Sequence, residues 1–331
     1  MRIEDLTLDD CKAARKLVSR FPAAGFQASK LSQAIGLANR MKKDRAAIFF
    51  TFTANMVASG LRGLFADLCR KGYPSVIITT AGALEHDFMR AAGDYELGEF
   101  VMDDAALHQK GINRIGNILV PTAHYENFEK RMVPIFEKLY QEKKIASPSE
   151  LAYEMGASLK DEGSFLYWCA KNKIPVFCPG ITDGAIGLQT YFYKQKRKDF
   201  GIDVTKDMNQ LASLALNAER TGGILLGGGI SKHHAIGVNI LRGGFDYAVY
   251  MTTAQPWDGS LSGARSTEAV SWGKIRESPG LDGTIGAVSG SQSPVSSKAQ
   301  NQKHVTPLAN HVTVDGEASI LFPLFAAGLD I

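Results

Sequence analysis

Cysteine is scarce in this chain. Its four cysteines, Cys11, Cys69, Cys169 and Cys178, are scattered over 331 positions with no CxxC pair. That spacing argues against a disulfide framework and a structural zinc site, and it fits a reducing cytoplasm. Net charge is scarce as well. The 37 Lys and Arg against 34 Asp and Glu leave +3, with no basic stripe interleaved with aromatics, so nucleic acid is not expected as a ligand. The densest positive run, KQKRK at 194–198, reads as a solvated loop or helix end. Long apolar runs are missing too. The longest, AAIFFTFTANMVASGL at 46–61, is broken by threonines and an asparagine and falls short of the about 18 apolar residues of a membrane helix. The opening MRIEDLTLDD sets acids before any apolar stretch, unlike a secretory signal. The expectation is a cytoplasmic protein with no membrane partner.

What is present is a repeated alternation. Short apolar runs recur at 46–52, 75–80, 174–180, 222–229 and 246–254, each bounded by turn residues and followed by helical patterning. Uninterrupted strands of this kind suit a parallel sheet covered on both faces. Helices are expected over 55–72, 125–143, 162–172, 205–220 and 230–242, which gives a doubly wound α/β fold. Ligands of such sheets bind beyond the carboxyl ends of the strands. The residues there are TANMVASG, TTAGALEHD, ITDGAIG, GGGISKHH and TTAQPWDGSLSGA. Small hydroxyl residues, glycine, acids and histidines at five strand ends point to a large ligand. One segment departs from the pattern: 278–304 is rich in Gly, Ser and Gln and reads as a flexible surface excursion. The run ASILFPLFAAGL at 318–329 then returns as a buried closing element.

Several stretches carry candidate chemistry. In LLGGGISKHH (225–234) three glycines end a strand and precede a helix, where backbone amides can approach a phosphate. The same glycines also suit a tight turn with no ligand, and neither GxGxxG nor GxxxxGK[ST] occurs. His233 and His234 are adjacent, so they face different directions and make a poor metal pair. One of them is a candidate acid–base group. In EAVSWGKI (268–275) Lys274 follows a Trp-Gly pair. A lysine is by default solvated, but desolvation against Trp272 would lower its pKa and leave a nucleophilic amine. Gly273 would give a substrate room, Trp272 could cover a cation, and Glu268 could hold an ammonium group.

These stretches, with SGARSTEAVSWGKI (262–275), GINRIGNILVP (111–121), TTAG (79–82) and ITDG (181–184), resemble the deoxyhypusine synthase family in order over roughly 40–276 and 313–325. The resemblance implies a single domain spanning 1–331, with Rossmann-like subunits in a homotetramer whose active sites lie at a subunit interface. It implies NAD as cofactor and spermidine as donor. The 4-aminobutyl group would pass through an enzyme-lysine imine to a lysine of a translation initiation factor precursor. Lys274 falls on the nucleophile's position and His233 on that of a histidine contacting the amine being oxidised. Glu85, Gly259, Ser260, Glu268 and Trp272 fall on polyamine-pocket positions. The cofactor lining corresponds to Ala54, Asn55, Met56, Val57, Ala58, Thr80, Ala81, Gly82, His86, Asp183, Thr253, Ala254, Glu317 and Ala318. Eukaryotic relatives carry aspartates where this chain has Leu188 and Leu261, a second acid at His86, and an aspartate at Glu317. The short start suggests an archaeal-type member. The rival readings are transfer to a small diamine, as in homospermidine synthesis, and a non-catalytic NAD-binding homologue.

Overall fold

The apolar runs pair side by side. The structure, a computed structural model, describes residues 1–277 and 309–331. Its central sheet has six strands: β1 (Ala47–Thr51), β2 (Val76–Ile78), β3 (Val176–Phe177), β4 (Thr221–Leu226), β5 (Tyr247–Thr252) and β6 (His311–Asp315). All neighbouring pairs are parallel. Their spatial order is β6-β5-β4-β1-β2-β3. Successive side chains alternate between the faces. Ile48, Phe50, Ile77, Ile224 and Val249 pack on one side against the helices Phe26–Lys43, Leu61–Arg70, Phe165–Asn172 and Ala318–Ala327. Phe49, Val76, Ile78, Leu225 and Tyr250 pack on the other against Lys206–Asn217, Gly229–Val238 and Ser266–Ser271. Both faces are dry, which is why the runs carry no polar alternation. The expected α/β, doubly wound sheet is therefore the observed one.

The details differ in four places, each for a local reason. The helix expected over 55–72 is two helices, Ala54–Ala58 and Leu61–Arg70, because Ser59 is extended between them. The amino-terminal segment crosses there: Leu6 N donates to Gly60 O at 2.9 Å, and a β-carbon on Gly60 would lie 2.4 Å from Glu4 O. Strand β6 was not expected, since as an edge strand its HVTVD sequence alternates instead of running apolar. Strand β3 is two residues long where 174–180 was expected. A separate antiparallel sheet of Glu96–Leu97, Ile112–Ile115 and Ile118–Pro121 carries the GINRIGN stretch as a hairpin, with Gly116 at φ +60° in its turn. The positive run at 194–198 begins in the last turn of the helix Ala185–Lys196. The excursion expected at 278–304 lies outside the described residues. No helix among the described residues is long and apolar enough to cross a membrane.

A buried ionic network joins the elements behind the first two strands. Arg62 is 3% exposed and donates to Asp87 (2.7 Å), Asp161 (2.5 Å) and Asp5 (3.3 Å). Asp87, fully buried, also accepts from Ser164 Oγ at 2.6 Å and Leu166 N at 2.9 Å. Arg90 donates to Val57 O and Ser59 O and pairs with Asp5. The amino terminus and the helices starting at 54, 61, 81 and 165 are thus tied to one another. Removing one partner of such a network strands the other charge in the core. Asp87→Ala is expected to cost about 3–5 kcal/mol in guanidinium unfolding, and Asp87→Asn, which keeps hydrogen-bonding capacity, clearly less. An Ala variant as stable as wild type would show that the network carries no stability.

Candidate active site

The sheet order reverses between β1 and β4, and the turns after these two strands face each other. A β-carbon on Gly227 would lie 3.3 Å from Met56 Cε and 3.7 Å from Thr53 Oγ1. Gly227 and Gly229 hold φ of +75° and +67°, a region costly for residues with a β-carbon. Gly228 is excluded differently, since its β-carbon would lie 2.5 Å from Ser262 Cα. Each of the three glycines therefore has a backbone reason.

Most of the residues expected to line a cofactor follow strands at the carboxyl edge of the sheet. Ala54, Asn55, Met56, Val57 and Ala58 form the helix after β1, and Thr80, Ala81 and Gly82 open the helix Ala81–Arg90 after β2. Gly82 lets those helices touch, as its β-carbon would lie 2.9 Å from Ala54 Cβ. Asp183 follows β3, Thr253 and Ala254 follow β5, and Glu317 caps the helix that begins at Ala318. Asn55, Asp183, Thr253 and Glu317 are exposed, whereas Met56, Val57, Ala58, Ala81 and Ala318 are buried. Thr80 makes no capping hydrogen bond, and its buried Oγ1 has no partner among the described residues.

Two residues of that helix turn inward. Glu85 is buried, its Oε1 accepts from Ile186 N at 2.9 Å, and burial raises its pKa. His86 is also buried, with Nδ1 2.8 Å from the Tyr95 hydroxyl. Burial, helped by Arg90, holds its pKa down to about 4.

Apart from Glu85, the residues expected to hold the amine meet at one cavity. A cavity of about 310 Å³ is lined by His233, Gly259, Ser260, Glu268, Trp272 and Lys274. Glu85 does not line it, and neither does Leu188, which is exposed on the helix Ala185–Lys196. Leu261 does. The histidine pair splits as adjacent helical residues must, with only His233 on the cavity.

The backbone of Lys274 is held by the end of the helix Ser266–Ser271. Gly273 N donates to Val270 O and Lys274 N to Ala269 O, each at 2.9 Å, with Gly273 at φ +65°. This pair of bonds is the Schellman termination, which demands a left-handed residue where the glycine stands. Nothing lies within 4 Å of a β-carbon built on Gly273. The glycine is required by its backbone conformation, and the space beside it is open. Lys274 O then accepts from Phe245 N at 3.0 Å. Within one chain Lys274 is half-buried and Trp272 is 66% exposed. Its ring centroid lies 5.1 Å from Lys274 Nζ, a cation–π contact.

Among the cavity residues that the sequence did not single out are Lys232 and Tyr250. Lys232 is 1% exposed, and burial lowers its pKa to about 8, with Glu268 opposing. The available signal was helical spacing: Lys232 stands four residues before Ile236, and both are buried.

The fold and site define a doubly wound α/β protein with a lysine-bearing pocket at the carboxyl edge of its sheet. A deoxyhypusine synthase family model matches residues 16–286, and the chain belongs to that family. A protein of Pyrococcus furiosus described as "probable deoxyhypusine synthase" is 45% identical over 292 residues, covering 83% of this chain and 87% of the relative. One from Halobacterium salinarum with the same description is 41% identical over 314 residues, covering 95% and 87%. The homologues imply a transferase. In fold alone, a crystal structure provisionally described as deoxyhypusine synthase from Entamoeba histolytica aligns over 99% of this chain and 96% of its own, with a TM-score of 0.62 and 23% identity.

The buried imidazole gives a test of this half of the site. The unfolded chain takes up a proton near pH 6.5 that folded His86 refuses until about pH 4. Stability should therefore fall as pH drops through that window, with His86 contributing on the order of 3 kcal/mol of the loss. His86→Gln can keep the bond to Tyr95 but cannot titrate. Its unfolding midpoint should depend less on pH between 6.5 and 4.5 than that of wild type. Identical pH dependence in the two proteins would refute the assignment.

Proposed function

We propose that the protein transfers the 4-aminobutyl group of spermidine, in an NAD-dependent reaction, through an imine on Lys274 to a lysine of a translation initiation factor precursor. The observation that carries this reading is the cavity that gathers Lys274, His233, Glu268 and Trp272. The residues at the crevice fit a dinucleotide: three glycines, small residues after β1 and β2, and the unpartnered Thr80 hydroxyl. Ala54–Ala58, Thr80–Gly82, Asp183, Thr253, Ala254, Glu317 and Ala318 would hold it. NAD bound there would take a hydride from the amine carbon and return it to the final imine on the acceptor, so that the net transfer is redox-neutral.

The chain's own groups do the rest. Glu268 offers a carboxylate to a terminal ammonium, and the Trp272 face lies beside the chain of methylenes. His233 takes the proton of the secondary amine on a ring nitrogen. Lys274 Nζ, as the free amine, attacks the substrate imine carbon, and the C–N bond to 1,3-diaminopropane breaks. The aminobutyl group, now an imine on Lys274, awaits the acceptor amine. Splitting the transfer in this way lets two bulky partners use one pocket in turn. Glu268, Trp272 and His233 are exposed in one chain, and so are Leu188, Tyr191 and Phe192 on one helix. We take these to be covered by a second copy in a homotetramer with sites at the subunit interface. The four free cysteines suit cytoplasmic work.

Labelled spermidine, NAD and either the protein acceptor or putrescine decide the reading. Label on the protein lysine supports it, label in homospermidine moves the assignment to a small-diamine acceptor, and label in neither points to a non-catalytic protein. Lys274→Arg should bind NAD but form no labelled adduct, because a guanidinium stays protonated. Transfer by that variant at near wild-type rate would remove Lys274 from its role. Leu261→Asp adds a carboxylate to the cavity wall and should lower spermidine KM about fivefold, the worth of one partly exposed charge pair. An unchanged KM in a folded variant would place the amine contacts elsewhere.

A further inference from the structure

The cavity has two lysines, and the one overlooked in sequence is the more deeply buried. Lys232 Nζ donates to Leu261 O at 2.9 Å and to Ala264 O at 2.8 Å. It lies 4.3 Å from the centroid of the Tyr250 ring. An amine with two of its hydrogens committed to carbonyls and 1% exposure is badly placed to attack a substrate. Lys274 Nζ, half-buried on the same cavity, has no such ties among the described residues, so the two amines divide their tasks.

The task left for Lys232 follows from what it joins. One end of its side chain sits on the helix Gly229–Val238, which carries His233. The carbonyls at the other end belong to the loop between Gly259 and the helix Ser266–Ser271, which carries Glu268 and leads into Lys274. The same loop is fastened nearby by Gly229 N donating to Ser262 Oγ at 3.0 Å and by Thr252 Oγ1 donating to Ser262 O at 3.3 Å. The two bonds from Lys232 are the only charge-assisted ones in this set, and such bonds are the stronger kind. The groups facing the amine are Tyr250 from β5 and Arg265 and Glu268 from the far wall, with Arg265 itself paired to Asp315.

Resting on the assignment of Lys274 and His233 above, we propose that Lys232 is a positioning residue. Its buried amine clamps the loop Leu261–Ala264 to the His233 helix and thereby sets the gap in which the amine substrate lies between His233 and Lys274. Misplacing reacting groups by about 1 Å is enough to cost on the order of 100-fold in rate. The clamp therefore acts on turnover more than on binding.

The test compares Lys232→Met, which fills the space without donors, and Lys232→Gln, whose amide has two donors, with wild type in the full protein. Amide hydrogen exchange over 259–265 reads the clamp, and diaminopropane release from spermidine with NAD reads its consequence. For Met we expect faster exchange and a kcat lower by about 100-fold, with KM changed by less than about threefold. Gln should recover much of both the protection and the rate. Unchanged exchange in a folded Met variant overturns the proposal, as does faster exchange with wild-type kcat. If Met fails to fold, Gln decides alone: protection with turnover supports the clamp, and protection with turnover still lost overturns it. Wild-type protein that releases no diaminopropane refutes the assigned reaction, not the clamp, which the exchange comparison then settles.

Discussion

The arrangement rests on six parallel strands whose order reverses between β1 and β4. Parallel pairing puts every carboxyl end on one edge, and the reversal leaves a crevice there because the chains leaving β1 and β4 turn to opposite faces. The crevice is narrow. Met56 and Thr53 on one side come within a methyl group's reach of Gly227 on the other. The glycine run has local causes, the positive φ of Gly227 and Gly229 and the closeness of Ser262 to Gly228, and any phosphate-binding capacity is inherited from them. The amine-lined cavity is placed by the same constraint, since its walls are the segments that follow β4 and β5.

Two buried cations show how differently the fold treats charge. Arg62 faces three carboxylates, and their attraction outweighs its desolvation, so its pKa is raised. It serves as a fixed structural charge that joins helices. Lys232 meets carbonyl dipoles and an aromatic ring, and desolvation wins, so its pKa falls toward neutrality. A group so poised loses its charge far more easily than Arg62 does. It is accordingly found at the cavity wall, whereas Arg62 lies in the scaffold.

Those contrasts explain what was legible in the sequence. The five apolar runs stood out because both faces of the sheet are covered, leaving no polar alternation to confuse them. The site's composition stood out because strand ends are where small and polar residues collect. The EAVSWGK stretch and the glycine run carried the family, which the relatives show. Strand β6 stayed hidden because an edge strand alternates like a surface segment. The break at Ser59–Gly60 stayed hidden because its cause is Glu4, far away in sequence. Helical spacing could place Lys232 on a buried face, but nothing local announces the carbonyls about thirty residues downstream that hold its amine, and burial of a polar group is decided by such distant partners.

Lys274 shows the limit most clearly. Its neighbours Trp272 and Gly273 bear on it through a ring contact and a backbone turn that the residue types alone do not spell out. Gly273 ends a helix of six residues with the only backbone conformation that lets Lys274 N reach back to Ala269. The next bond, from Phe245 N to Lys274 O, fastens the same residue to the chain entering β5. A lysine side chain has four rotatable bonds and would otherwise sweep a wide volume. Fixing both its amide and its carbonyl removes the backbone from that search, and the contact of Nζ with the Trp272 ring narrows it further. Mobility is thereby confined to the aliphatic stem. The role proposed for Lys274, meeting first one amine and then another, would draw on that combination: an anchored Cα and an arm still free to swing.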